Sequence, residues 1–262
     1  MNIFHAIVLG IVEGLTEFLP ISSTAHLIIT SKFLNLVQTD FLKLFEVFIQ
    51  SGAILAILIM YFKYILKNKK IINVLLISFI PTALIGLLFY KIIKDVFFES
   101  TQIIIVTLSI VGILFITVEI LIKRNLIKID KKISDMNYFH AFIIGFFQSF
   151  AIIPGVSRAG AVIVSMMFMK YKRSESAIYS FLLAIPTIIA ASILDLYKNY
   201  KIAFQSVTNI QMIVIGFIVS FVTAYLAVKW FISYVQKNSL IGFGIYRIAL
   251  AIILIISSYM GL

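Results

Sequence analysis

Long apolar runs alternate with short charged gaps along this chain, and two of the runs are interrupted. Uninterrupted runs lie near residues 41–62, 71–90 and 101–122, then near 176–197, 210–233 and 240–260. Each supplies about the 20 residues a membrane-spanning helix needs. The interrupted stretches cover about 2–30, broken at Pro20, and about 138–169, broken at Pro154-Gly155. The order is therefore broken stretch, three spans, charged loop, broken stretch, three spans, which is an internal repeat. Setting Pro20 against Pro154 gives an offset of 134 residues, with Gly10-Ile-Val-Glu13 near Gly145-Phe-Phe-Gln148 and Ser22-Ser23 near Val156-Ser157. This register needs a one-residue gap between Gly145 and Pro154. A broken stretch that dips in and returns adds no crossing, so each half crosses three times and the second half is inverted relative to the first. The pattern predicts an all-α integral membrane protein, residues 1–262 forming one membrane domain. Its two inverted repeats, about 1–127 and 128–262, each hold a re-entrant broken helix pair plus three transmembrane helices.

Composition agrees with the pattern. The chain is 62% hydrophobic, well above the roughly 45–50% usual in soluble domains, and its mean hydropathy is +1.11. It has no cysteine, which excludes disulfide and thiol chemistry. A net charge of +11 would suit a nucleic-acid partner, but the basic residues sit in the gaps between spans, the signature of membrane topology. No nucleic acid is expected; the bilayer is the partner. Lys63, Lys67, Lys69 and Lys70, then Lys123, Arg124, Lys128, Lys131 and Lys132, then Lys170, Lys172 and Arg173 would share one face. The other face would carry mainly Lys32, Lys43, Lys91, Lys94, Lys198 and Lys201. The excess places the first face in the cytoplasm and both termini outside. The first Lys is Lys32, so no cleaved signal peptide is expected. The two broken stretches then enter from opposite sides and meet at depth, where irregular backbone is tolerated only inside protein or around a wet cavity.

The polar residues concentrate at those two tips. Glu13 and Glu17 are four apart and share a helix face, near its negative C-terminal end. A divalent cation or a shared proton would relieve them. Ser22, Ser23 and Thr24 after Pro20 are residues that start a helix, and His26 follows as a general acid, nucleophile or metal ligand. At the second tip, Pro154-Gly155-Val156-Ser157-Arg158-Ala159-Gly160 joins a turn, a capping Ser and an Arg at a helix start. Backbone N–H groups and a planar guanidinium there suit phosphate oxygens. His5 and His140 lack such company and read as structural or interfacial. Glu119 with Lys123, and Asp195 with Lys198, read as ordinary ion pairs. Glu46 with Gln50, and Arg247 in the last span, read equally well as supports of the site or as structural pairings.

The two tips resemble the motifs of the undecaprenyl-pyrophosphate phosphatase family, also called the bacitracin-resistance protein family. The first motif stands here as Glu13-Gly14-Leu15-Thr16-Glu17-Phe18-Leu19-Pro20-Ile21-Ser22-Ser23-Thr24 with His26, and the second as Pro154-Gly155-Val156-Ser157-Arg158. The likeness extends to Phe45-Glu46-Val47 with Gln50 and to Phe181 through Pro186. It implies hydrolysis of a C55 polyprenyl pyrophosphate to the monophosphate and inorganic phosphate, recycling the cell-wall lipid carrier. It also implies dependence on a divalent metal, Mg2+ or Ca2+, held by Glu13 and Glu17. The site would open to the outer face of the bacterial plasma membrane. Glu13, Glu17, Ser23, His26 and Arg158 are the expected catalytic residues. Ser22, Thr24, Gly155, Ser157, Arg158 and Gly160 are expected to bind substrate. Where the family has Ser and a hydroxylated Thr after the Arg, this chain has Ala159 and Val162, and it has Ala25 where Gly is usual. A homo-oligomer stays open. The rival reading is a transporter or flippase of polyprenyl phosphates or other anions, because inverted repeats with broken helices are also a transporter design.

Overall fold

The computed structural model describes residues 1–89 and 101–259. Helices form them: α1 Ile3–Thr16, α2 Ser23–Phe33, α3 Asp40–Lys67, α4 Lys69–Leu88, α5 Thr101–Lys123, α6 Tyr138–Ser149, α7 Arg158–Phe168, α8 Arg173–Ala203, α9 Val207–Lys237 and α10 Ile241–Tyr259. Six of these, α3, α4, α5, α8, α9 and α10, are long and apolar enough to cross a membrane. With α1, α2, α6 and α7 at 14, 11, 12 and 11 residues, the interrupted stretches become pairs of short helices instead. The spans therefore fall where the apolar runs lie, but several helices overrun them. α3 continues through Lys63 to Lys67, because long basic side chains reach water from a helix that has left the apolar layer. Lys91 and Lys94 lie outside the described residues.

Local chemistry repeats between the halves. Asn2 and Asn137 cap α1 and α6, their side chains accepting from His5 N at 3.0 Å and His140 N at 2.7 Å. Ser22 and Ser157 cap α2 and α7 at φ 74° and 71°. Their hydroxyls accept from Ala25 N at 3.4 Å and Gly160 N at 3.1 Å. Beyond the two helices, Asn35 and Lys170 adopt φ 51° and 75°. All these pairs are 135 positions apart, as are Gly10 and Gly145. Ser22 thus corresponds to Ser157, where alignment on the prolines paired it with Val156. No gap is needed, because the prolines lie in the turns, one step out of register, while the caps are fixed by hydrogen bonds.

Packing exchanges partners between the halves. α1 lies against α9 and α6 against α4, while α3 meets α8 and α5 meets α10. Apolar burial drives helix association weakly in lipid, so close backbone approach matters more. At Gly145 a Cβ would stand 2.0 Å from the Ser78 carbonyl oxygen. Next to it, Ser78 Oγ donates to the Ala141 carbonyl at 2.6 Å, tying the two helices where they touch. Leucines such as Leu84, Leu87 and Leu226 point outward instead and are exposed.

The basic loops gather at one end. The N–H groups of Asp130 and Lys131 donate to the Lys170 carbonyl at 3.1 Å, and Lys70 Nζ reaches the Ser134 carbonyl at 3.3 Å. There Glu119 pairs with Arg173, Nε to Oε1 at 2.6 Å, and accepts from Leu240 N at 2.9 Å. The expected Glu119–Lys123 pair gives way to this clip, since a guanidinium from α8 can bond both carboxylate oxygens. Asp195 accepts from Asn199 Nδ2 at 3.1 Å.

Substituting Gly145→Ala should push α4 and α6 apart and cost about 1–3 kcal/mol of stability, as overpacking does. Gly86→Ala, whose Cβ would find nothing nearer than 3.8 Å, serves as the control. Thermal unfolding of the detergent-purified proteins should show a lower midpoint for the first variant only. Equal midpoints would contradict the close approach.

Candidate active site

Between α1 and α2, and between α6 and α7, the backbone leaves the helix, so carbonyls at depth need other donors. Arg247 of α10 supplies them. It is fully buried. Its Nη1 donates to the Pro20 carbonyl at 3.0 Å, and its Nη2 to those of Gly155 at 2.5 Å and Val156 at 3.1 Å. Its Nε points at the Leu108 carbonyl, 3.4 Å away. One side chain therefore holds both tips. Thr107 Oγ1 lies 2.7 Å from the Pro154 carbonyl oxygen. It leaves no room for a side chain at Gly155, whose φ is +90° and whose Cβ would stand 2.1 Å from that oxygen. The sequence left Arg247 between site support and structural pairing; it is the clamp of the two loops.

The tips enclose a cavity of about 170 Å³. From the first half Glu17, Ser23 and Thr24 line it, with Ser22 beside them, and from the second Gly155, Ser157 and Arg158. Glu17 caps the C-terminal end of α1, while Ser23 and Arg158 are the first residues of α2 and α7. Ser23 Oγ donates to Glu17 Oε2 at 2.5 Å, and Arg158 Nη2 donates to Glu17 Oε1 at 3.2 Å. Arg158 Nη1 is held by the Ser180 carbonyl at 2.9 Å, and its plane stands 6.0 Å from the Phe18 ring centroid. Its Nε is buried and has no partner. The hydroxyl, the carboxylate and the guanidinium thus form one chain across the two halves, beneath two helix N-termini whose dipoles favour anions.

Other expected residues stand around this chain in different ways. Glu13 is fully buried, lies behind the cavity lining, and has two carboxylate oxygens without a hydrogen-bond partner. Glu17, Glu46 and Arg158 are the charges that act on it. Glu46 is tied to α2 through Ser31 Oγ at 2.9 Å. Gly160 N is spent on the Ser157 cap, and Gly160 lies outside the lining. His26 departs most from expectation. Its Nδ1 lies 2.7 Å from the Ser22 carbonyl, which can only accept, so Nδ1 carries the proton and Nε2 accepts from Tyr246 Oη at 2.7 Å. The two rings stack at 5.7 Å. The imidazole faces an apolar groove beside Trp230 and Phe243 and makes no bond to Ser23. A Ser23–His26 proton couple is therefore not assembled; packing against α10 turns the ring away.

Ala159 and Val162, where the family motif carries hydroxyls, are fully buried in core clusters and do not line the cavity. Sequence reasoning missed Thr82, Gln148 and Thr187, which also line the cavity, and left Gln50, a further lining residue, between site support and structural pairing. The two threonines follow prolines inside spans, Pro81-Thr82 in α4 and Pro186-Thr187 in α8, and that repeated Pro-Thr pair was the available signal. Among the described residues no group of three or more carboxylates and imidazoles could hold a metal alone. Glu13 and Glu17 offer hard oxygen donors of the type that suits a small divalent cation.

The sequence as a whole is similar to known proteins. The family model described as bacitracin resistance protein BacA matches residues 6–253. A protein of Campylobacter hominis named undecaprenyl-diphosphatase is 46% identical over 252 residues, covering 96% of this chain and 97% of the relative. One of the same name from Persephonella marina is also 46% identical, over 98% of this chain and 99% of its own. A third, from Aquifex aeolicus, is 43% identical over 97% of each chain. Both motif tips lie inside the matched region, and the chain belongs to the bacitracin resistance protein BacA family.

Proposed function

We propose that the chain is a membrane phosphatase that hydrolyses undecaprenyl pyrophosphate to undecaprenyl phosphate and inorganic phosphate. The observation that carries this is the bond from Ser23 Oγ to Glu17, with Arg158 on the other carboxylate oxygen, inside a cavity fed by two helix N-termini. A carrier of anions needs the guanidinium and the helix dipoles, but it has no use for a hydroxyl already aimed at a base.

Ser23 Oγ attacks the terminal phosphorus, its proton passing to Glu17 Oε2. The bond from phosphorus to the bridging oxygen breaks, and the lipid monophosphate leaves with that oxygen. Glu17 passes the first proton to the departing monophosphate; water then attacks the phosphoseryl group, Glu17 takes its proton and hands it to the Ser23 oxygen, and inorganic phosphate departs. Arg158 stabilises the charge on the transferred group and also holds Glu17 in place. A divalent cation held by Glu13 and Glu17 would add Lewis-acid stabilisation of the phosphate oxygens. His26 acts by position, holding the Ser22 carbonyl and so the start of α2, where Ser23 stands.

The wider reading follows from the same features. The shared 135-residue register and the exchanged packing of α1 on α9 and α6 on α4 support two inverted repeats. The gathered basic loops support a cytoplasmic placement of that end in the bacterial plasma membrane, with the active site reached from the outer side.

Removing Ser23 (Ser23→Ala) should lower kcat by about a thousandfold or more, as loss of a nucleophile does elsewhere. His26→Gln, by contrast, should retain at least a tenth of the activity. Phosphate release from the C55 lipid in detergent measures both. A Ser23→Ala protein as active as the parent would remove the mechanism's centre. EDTA should abolish release and added Mg2+ restore it; release unaffected by chelation would remove the cation from the account.

A further inference from the structure

The cavity lining carries a feature that the phosphatase chemistry above does not use. Gln148, the counterpart of Glu13 at the same 135-residue spacing, is fully buried where α6 meets α4 and α8. Its Nε2 lies 2.8 Å from Thr82 Oγ1 and 3.3 Å from Thr187 Oγ1. Each threonine hydroxyl has one hydrogen, and each is committed: Thr82 donates to the Gly145 carbonyl at 3.1 Å and Thr187 to the Leu183 carbonyl at 2.8 Å. Both threonine oxygens can therefore only accept from the amide, so the group facing them must be the NH2. The hydrogen-bond network assigns the amide this orientation. What remains is Oε1, a buried acceptor without a donor, in a residue that lines the cavity. Leaving such an atom unsatisfied is costly.

An acceptor that cannot rotate into a donor repels a bare phosphate oxygen and welcomes a P–OH. The cavity's volume of about 170 Å³ is more than tenfold the roughly 10–15 Å³ that one water needs, so there is room for a phosphate. Arg158, which lines the same cavity and whose Nε is unpartnered, supplies positive charge. We infer that Gln148, held by Thr82 and Thr187, is a specificity-determining residue that accepts a hydrogen bond from the protonated oxygen of the phosphate released in the reaction. The inference rests on the phosphatase reading for its ligand. Inorganic phosphate keeps at least one O–H at neutral pH, whereas sulfate, of similar size and charge, keeps none. The site should therefore prefer phosphate to sulfate, and that preference should depend on Oε1.

Titration calorimetry of the detergent-purified full chain with inorganic phosphate and with sulfate tests this without any turnover. The parent should bind phosphate at least about tenfold more tightly than sulfate, a difference of about 1.4 kcal/mol. In Gln148→Met phosphate binding should fall to the sulfate level while sulfate binding is unchanged. Should that variant not fold, Thr82→Val, which frees the amide to turn, should lose most of the same preference. Equal binding of the two anions by the parent would overturn the inference, as would no binding of either or an unchanged preference in a folded variant. A role confined to joining α4, α6 and α8 would lower thermal stability and leave the anion ratio alone. A parent that shows the anion preference but releases no phosphate from the C55 lipid would sink the phosphatase reading instead, so the two failures are distinct.

Discussion

Everything at the centre of this protein depends on Arg247 solvating backbone that the membrane cannot. Two turns interrupt helices inside an apolar body, and their carbonyls have no partner in their own helices. Arg247 donates to three of them, Pro20 from one tip and Gly155 and Val156 from the other. A buried guanidinium would ordinarily demand a carboxylate. Here carbonyl dipoles take that place. Because the three carbonyls belong to both halves, their separation is set by the span of a single planar group.

With the turns fixed, the first residues of α2 and α7 are fixed as well, and these are Ser23 and Arg158. Glu17 stands between them, bonded to both. The cavity thus gathers a hydroxyl, a base and a cation from two segments more than a hundred positions apart in sequence. Its lining also includes neutral polar groups, Gln148 and two threonines that follow helix prolines. The two halves carry different residues at matching positions, Glu13 against Gln148 and Ser23 against Arg158.

Much of this was legible in the sequence, for physical reasons. Apolar run length set the spans, since a bilayer demands about 20 such residues, and Ser22 and Ser157 marked helix starts because capping chemistry is local. That the two tips come together followed from polar segments having nowhere else to go in an apolar body, while the direct bond between Glu17 and Arg158 was not foreseen. What stayed hidden depended on packing between distant elements. His26 sits one turn beyond Ser22 in sequence, yet Tyr246 of α10 decides where its ring points. Glu119 has Lys123 close at hand, but Arg173 offers the better fork from across the bundle. Alignment on the prolines shifted the repeat by one residue because a turn tolerates such a shift, whereas a capped helix does not.

The central claim is that Glu17 and Arg158, contributed by opposite halves, act as one unit. A double-mutant cycle on phosphate release tests it most directly, comparing Glu17→Gln, Arg158→Gln and the protein carrying both. Groups acting as a unit are strongly non-additive, so the double variant should be no slower than the slower single one. Losses in kcat/KM that multiply would show two independent contributions and contradict the account.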